Sequence, residues 1–279
     1  MNVLSLFDGI SCGQLALNRA GINYDNYYAS EIDKYAIEVT QYRFPKTIQL
    51  GDVCGVDVSN LEVDLLIGGT PCVGFSSLGK KLNFNDPQSK LFFEYVRILN
   101  ELSLKNPNLY FLLENVIMKN EFKDRISDLV GCGPIEINSR LVSAQSRRRY
   151  YWTNIPNVTQ PPDKGIKFKD ILEDRPFKPM PLFLKNINRR DGIETLNWVS
   201  RDKSNCVTLK NSNSQQYLMN EDKTKTRLLT INEYERLQTL DDDYTKVGKI
   251  SNNQRFKLVG NGWTVDVISH IFKGLKNDS

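Results

Sequence analysis

Over its first 116 positions the chain alternates short apolar runs with stretches of helical period. Val3-Leu4-Ser5-Leu6-Phe7 predicts a strand, Asp8 to Gly13 a glycine-bearing turn, and Gln14 to Ala20 a helix. Tyr27 to Ser30 predicts a second strand ending at Glu31, followed by a helix from Lys34 to Tyr42 and a short strand from Thr47 to Leu50 ending at Asp52. Val63 to Ile67 predicts a buried strand that runs into Gly-Gly-Thr-Pro-Cys at 68–72. In Ser89 to Leu102, the residues Leu91, Phe92, Tyr95, Ile98, Leu99 and Leu102 share one helical face. Leu109 to Leu113 predicts one more strand, ending in Glu114-Asn115-Val116. Such alternation implies an α/β fold, a mostly parallel sheet with helices on both faces. Ligands of such sheets bind at the carboxyl ends of strands, where Phe7, Glu31, Asp52, Cys72 and Glu114 fall.

After Trp152 the pattern changes. Residues 157–226 are rich in Pro, Asn, Ser, Thr and Lys, with short β-like pieces such as Cys206 to Leu209, and read as a small loop-rich insert. Regularity returns where Thr230 and Glu233 form a capping-box pattern opening a helix that carries Tyr234, Leu237 and Leu240. Lys257 to Trp263 then leads into a last helix. The expected organisation is a catalytic and cofactor-binding part at 1–156, an insert at 157–226, and a return to the first part at 227–279.

Charge sharpens this division. The chain carries 37 Lys+Arg against 33 Asp+Glu, but from Asn157 to Thr230 there are 14 against nine, so this one stretch holds the whole surplus. Five cysteines at 12, 54, 72, 132 and 206, an odd number without zinc-type spacing, and no leader ahead of the first strand point to a reducing, intracellular compartment and to no metal site. No apolar run approaches the ~18 residues of a membrane span. The single histidine, His270, falls on the last helix, so proton transfers fall to other groups.

Candidate chemistry gathers at the strand ends. A glycine turn (Gly9, Gly13) followed 22 residues past Gly9 by Glu31 suits a nucleoside whose ribose diol a carboxylate holds. NAD(P) and S-adenosylmethionine both meet that requirement. The turn lacks the Gly-x-Gly-x-x-Gly spacing for a pyrophosphate, and Asp8 would repel phosphate but attract a sulfonium or an amine, which favours S-adenosylmethionine. Asp52 is placed to accept from an adenine amine. Cys72, at a strand exit behind Pro71, is placed as a nucleophile; a free cysteine is also commonly a small buried apolar side chain. Arg147 and Arg149 share a strand parity with Gln145, whereas Arg148 faces oppositely; a positive potential would depress a thiol's pKa, though a solvated basic patch reads the same way.

The ordered set Phe-Asp-Gly-Ile-Ser-Cys-Gly, Ala-Ser-Glu-Ile-Asp, Gly-Asp-Val, Gly-Gly-Thr-Pro-Cys, Leu91-Phe92-Phe93-Glu94, Glu114-Asn115-Val116, Gln145-Ser146-Arg147-Arg148-Arg149, the stretch Arg227 to Gln238 and Gly260-Asn261-Gly262 resembles the DNA cytosine-5 methyltransferases from end to end except in the insert. In detail it resembles the branch with the animal de novo enzymes and their bacterial and phage relatives. The family's Gly-Asn-Ser stands here as Gly-Asn-Gly, and its leucine-glutamine-glycine-phenylalanine-proline element as Leu237-Gln238-Thr239-Leu240-Asp241.

The resemblance implies a Rossmann-like S-adenosylmethionine-dependent sheet plus a target recognition domain. It implies methylation of C5 in a flipped-out cytosine through a covalent Cys72 adduct, with Glu114, Arg147 and Arg149 assisting. Phe7, Asp8, Gly9, Ile10, Cys12 and Gly13 would line the cofactor on one side. Glu31, Ile32, Asp52, Val53, Pro71 and Leu91 would do so on another, with Asn261, Gly262 and Trp263 from the last motif; the product would be S-adenosylhomocysteine. Double-stranded DNA would meet Ser76, Lys80, Lys81 and Gln145, with a mobile lid at 73–88, and the insert would meet it through Arg189, Arg190, Lys203 and Lys210. A phage orphan or a restriction-modification enzyme with a cognate endonuclease, cytoplasmic in a bacterial cell, fits equally. An RNA cytosine methyltransferase, a non-catalytic DNA-binding homologue and a thiol hydrolase are the alternatives; the Cys-Phe-Thr element of the tRNA-methylating relatives is not found, and a hydrolase needs a histidine near Cys72.

Overall fold

The computed structural model describes residues 1–71, 87–179, 196–199, 202–207, 216–222 and 224–278. They form two compact units, one of residues 1–137, 148–160 and 268–279, the other of 138–147 and 161–267. The second unit thus takes in 138–147 and 227–267 as well as 161–226 of the expected insert, whose first four residues stay with the first unit.

The first unit is built on a seven-stranded sheet of order β3-β2-β1-β4-β5-β7-β6. Its elements are β1 (Asn2–Leu6), α1 (Cys12–Ala20), β2 (Asn26–Ser30), α2 (Lys34–Arg43), β3 (Ile48–Gln49), β4 (Leu65–Gly69), α3 (Pro87–Lys105), β5 (Tyr110–Val116), α4 (Asn120–Val130), β6 (Ile135–Asn138) and β7 (Arg148–Thr153). Pairings from β3 through β5 are parallel and β5–β7 is antiparallel. The parallel strands are buried on both faces, so they read as apolar runs rather than alternations. Leu4, Leu6, Leu66, Phe111, Leu113 and Trp152 of the sheet pack with Phe92, Tyr95, Ile98 and Leu99 of α3.

The chain leaves β1 for β2 and β3 on one side and returns through β4 and β5 on the other. The carboxyl ends of β1 and β4 are therefore the switch point where an open α/β sheet leaves a cleft. Helix α4 and strand β6 are additions to the sequence expectation. The spacing of Phe122, Ile126 and Val130, all buried, is the signal that marks α4.

In the second unit, β8 (Lys178–Pro179), β11 (Lys225–Leu228), β10 (Tyr217–Met219) and β9 (Leu196–Trp198) form a small sheet in that order. Cys206 and Val207, expected as β-like, lie outside any strand. The helix Ile231–Leu237 opens with the expected capping box, Glu233 N donating to Thr230 Oγ1 at 3.2 Å and Thr230 N to the Glu233 carboxylate at 2.7 Å. The helices Asn252–Asn261 and Val265–Phe272 close the chain, the former absorbing most of a segment expected to lead into the last helix.

Candidate active site

The loop after β1 turns sharply. Phe7, Gly9 and Ser11 all have positive φ, at 58°, 59° and 57°. Positive φ at two non-glycine residues within five positions is uncommon, and such strain gathers where a ligand is clamped. Around Gly9 the space a Cβ would enter is open, so backbone can be approached closely there. Ile10 and Cys12, expected to line the cofactor, are buried in the core at 1% and 3% exposure.

Glu31 is fixed by backbone. Its Oε2 accepts from Gly9 N at 2.8 Å, and its Oε1 accepts from Ile32 N and Asp33 N, each at 2.8 Å. A carboxylate offers about four acceptor sites, so three donors hold the group rigid and leave capacity for a diol. Next to it Ile32 is 75% exposed, a large apolar side chain open to solvent. Asp52 is exposed, and its Oδ1 accepts from Cys54 N at 2.9 Å, capping a short 3-10 turn whose Val53 is buried. Phe7 and Leu91 are partly buried against the core, and Pro71 ends the described stretch after β4. A rigid acceptor, an exposed apolar shelf, a second exposed carboxylate and an open backbone approach fit a nucleoside cofactor.

Asp8 lies in the same loop. Tyr27, from β2, donates its hydroxyl to Asp8 Oδ1 at 2.8 Å, and Oδ2 is buried without a partner. Burial pushes this carboxyl up to about 6, against the hydroxyls of Ser5, Tyr27 and Ser11, with repulsion from Glu31 adding to the rise.

At the next strand ends, Gly69 of β4 pairs with Glu114 of β5, which pairs with Tyr151 of β7. Arg149 Nε lies 2.9 Å from Glu114 Oε1, with both side chains largely buried. Asn115 donates from Nδ2 to Thr70 Oγ1 at 2.9 Å, so the Glu-Asn-Val step also grips the segment two residues before Cys72. Cys72 itself, with Ser76, Lys80 and Lys81 of the expected lid, lies outside the described residues, as do Arg189, Arg190 and Lys210.

Three expectations in the second unit change. Arg147 precedes β7 and does not follow its parity: its guanidinium donates to Val207 O at 2.8 Å and Gly262 O at 3.2 Å and contacts Cys206 Sγ, bracing backbone. Gln145 is fully buried, donating to Leu237 O and Gln238 Oε1 and accepting from Val207 N, which leaves it no surface for DNA. Lys203 donates to the carbonyls of Ser143 and Ile166; partial burial pulls its pKa down, and the ammonium is committed to holding loops rather than presented to phosphate. Asn261 is exposed at a helix end, while Gly262 is buried and Trp263 half-buried. Gln238 joins these motifs by donating to Val259 O and Gly262 O at 3.0 and 2.9 Å.

The sequence profile of the C-5 cytosine-specific DNA methylases matches residues 1–130 and 136–277. The chain belongs to this family. It is 31% identical over 246 residues to the orphan methyltransferase M.SPRI of Bacillus phage SPR, a match covering 81% of this chain and 54% of the phage protein. To the type II methyltransferase M.NgoBV of Neisseria gonorrhoeae it is 24% identical over 270 residues, 83% of this chain and 63% of that one. The chain thus spans about half to two thirds of these relatives' length. In fold it is similar to the Entamoeba histolytica methyltransferase EhMeth, with a TM-score of 0.79 at 17% identity over 100% and 98% of the two chains. It is likewise similar to the Dnmt2 methyltransferase of S. pombe, at 0.71 and 20% over 100% and 99%.

Proposed function

We propose that the chain methylates C5 of cytosine in a short sequence of double-stranded DNA. The observation that carries this reading is the pair of strand-end carboxylates, Glu31 locked by three backbone donors and Glu114 held by Arg149, on either side of the sheet's switch point.

Bound S-adenosylmethionine would supply the methyl group, leaving S-adenosylhomocysteine as product. Glu31 would hold its ribose diol, Ile32 would cover the adenine and Asp52 would accept from its amine. Cytosine C5 is a poor nucleophile, so the Cys72 thiolate adds to C6 and pushes electron density to C5. Glu114, in its protonated form, donates to N3 and accepts from the exocyclic amine of the flipped base, so its proton neutralises the charge that addition develops, and Arg149 keeps the carboxyl group in position. After methylation the C5 proton leaves to a base, the C6–S bond breaks, and the thiolate is restored. The insert reads the duplex, with Arg189 and Arg190 as candidates for contact with base edges. The setting is the cytoplasm of a bacterial or phage-infected cell, with the enzyme acting as an orphan or beside a cognate endonuclease.

The test is transfer of labelled methyl from S-adenosylmethionine to duplex DNA, with single-stranded RNA and tRNA in parallel. Duplex DNA should be labelled, duplex containing 5-fluorocytosine should trap the protein covalently, and Cys72→Ser should abolish both. Labelling of RNA alone would move the substrate class, and turnover by Cys72→Ser would sink the mechanism.

A further inference from the structure

The Asp8 carboxyl, expected beside the cofactor, takes no part in the steps above. Tyr27, 2% exposed, donates to its Oδ1, while Oδ2 is sealed from solvent with no hydrogen-bond partner. The groups facing it are few. Ser5 in β1, Ser11 ahead of α1 and Tyr27 in β2 present hydroxyls that favour the charged form, and Glu31 at the end of β2 presents a like charge that opposes it. Burial raises its pKa to about 6. An uncompensated charge in a low-dielectric pocket responds strongly to the net charge of whatever enters beside it.

On the methyltransferase reading, two ligands must pass through this cleft and they differ in that property. S-adenosylmethionine carries a sulfonium beside its amino and carboxylate groups and is a net cation; S-adenosylhomocysteine, a thioether, has no net charge. We propose that Asp8, held in place by the Tyr27 hydroxyl, is the specificity-determining charge by which this loop favours the sulfonium substrate over the thioether product. Asp8 acts through its field, and Tyr27 is a positioning residue that acts through Asp8. Release of spent cofactor would then be assisted by the loss of the charge that the loop recognises.

Calorimetric titration of both ligands into the full chain, from about pH 5 to about pH 8.5, reads this directly. In the wild type the preference for S-adenosylmethionine should fall as pH drops through about 6, because protonation removes the charge. Asp8→Asn should weaken S-adenosylmethionine about tenfold, weaken S-adenosylhomocysteine less than about twofold, and flatten the preference across pH. Tyr27→Phe removes a bond to the charged form, so it should shift the midpoint of the preference upward and lower the preference at neutral pH. Equal weakening of both ligands by Asp8→Asn would overturn the proposal in favour of simple loop support, and an unmoved midpoint in Tyr27→Phe would remove Tyr27 from it. If Tyr27→Phe fails to fold, judged by thermal unfolding, Asp8→Asn and the wild-type profile still decide. A wild-type chain that binds neither ligand would refute the methyltransferase reading itself, an outcome distinct from the others.

Discussion

At the residue scale, Asp8 also has a consequence for stability. Its pKa rises from 3.8 to about 6 in the folded protein, so the folded state holds the proton more tightly than the unfolded one. Stability from this group is fully present below the unfolded value and is lost as pH rises through the folded one. Keeping Asp8 ionised above that window costs up to about 3 kcal/mol. Asp8→Asn should therefore stabilise the ligand-free chain by up to about 3 kcal/mol at pH 8 and by nothing below about pH 4, as urea unfolding at the two pH values will show. Glu31 has the opposite character: its charge is satisfied by three N–H groups, so Glu31→Gln should weaken S-adenosylmethionine binding by about 1–3 kcal/mol in calorimetry, the scale of a charge-assisted hydrogen bond. Both acids could be singled out by their position after strands, but Tyr27 could not. Nothing in Tyr27-Tyr28 tells which hydroxyl is buried against a carboxylate until β1 and β2 pair with Val3 opposite Tyr27.

At the scale of elements, two contacts decide packing. A Cβ on Gly68 of β4 would come within 2.9 Å of the Tyr95 ring and 3.1 Å of Leu6 O, so β1, β4 and α3 meet too closely for a side chain. Gly68→Ala should destabilise the protein by about 1–3 kcal/mol in chemical denaturation, the usual cost of overpacking. In the second unit Arg227 and Glu233, 7% and 0% exposed, form a two-pronged pair at 2.6 and 2.8 Å that ties β11 to the helix Ile231–Leu237. Removing one partner strands a buried charge, so Arg227→Met should cost about 3–5 kcal/mol, and pairing it with Glu233→Met should restore part of that. The capping box was legible from Thr230 and Glu233 alone because it is a local spacing. The ion pair was not, since Glu233 can serve both roles only when the strand before it folds back. Thr239 shows the same limit: it takes φ 56° where the family's element has glycine, and its hydroxyl accepts from Asp266 N at 2.9 Å.

At the scale of the molecule, we propose that specificity belongs to the insert at 157–226, which carries the charge surplus. Arg189→Ala or Arg190→Ala should relax or redistribute the methylated sequence, because an arginine paired with guanine is worth about 1–3 kcal/mol of discrimination. Lys210→Ala should lower the rate at all sites and reduce the salt dependence. Base-resolution methylation sequencing of DNA from cells expressing each variant separates these outcomes; an unchanged motif in both arginine variants would assign the pair to backbone contact or to nothing. Lys203 no longer belongs in that test as a phosphate contact, because its ammonium is spent on the Ser143 and Ile166 carbonyls.

By itself the sequence determined the alternation of strands and helices, the strand ends that carry Glu31 and Glu114, and the family, since each depends on local period or on ordered short motifs. Only the tertiary structure decided which arginine serves which carboxylate. Arg147 and Arg149 are indistinguishable in a run of three, yet β7 begins at Arg148, so Arg149 is set across β5 beside Glu114 while Arg147 turns to the backbone at Val207 and Gly262. The reason is physical: the direction of a charged side chain is fixed by the partner that offsets its desolvation, and that partner lies dozens of residues away in the chain.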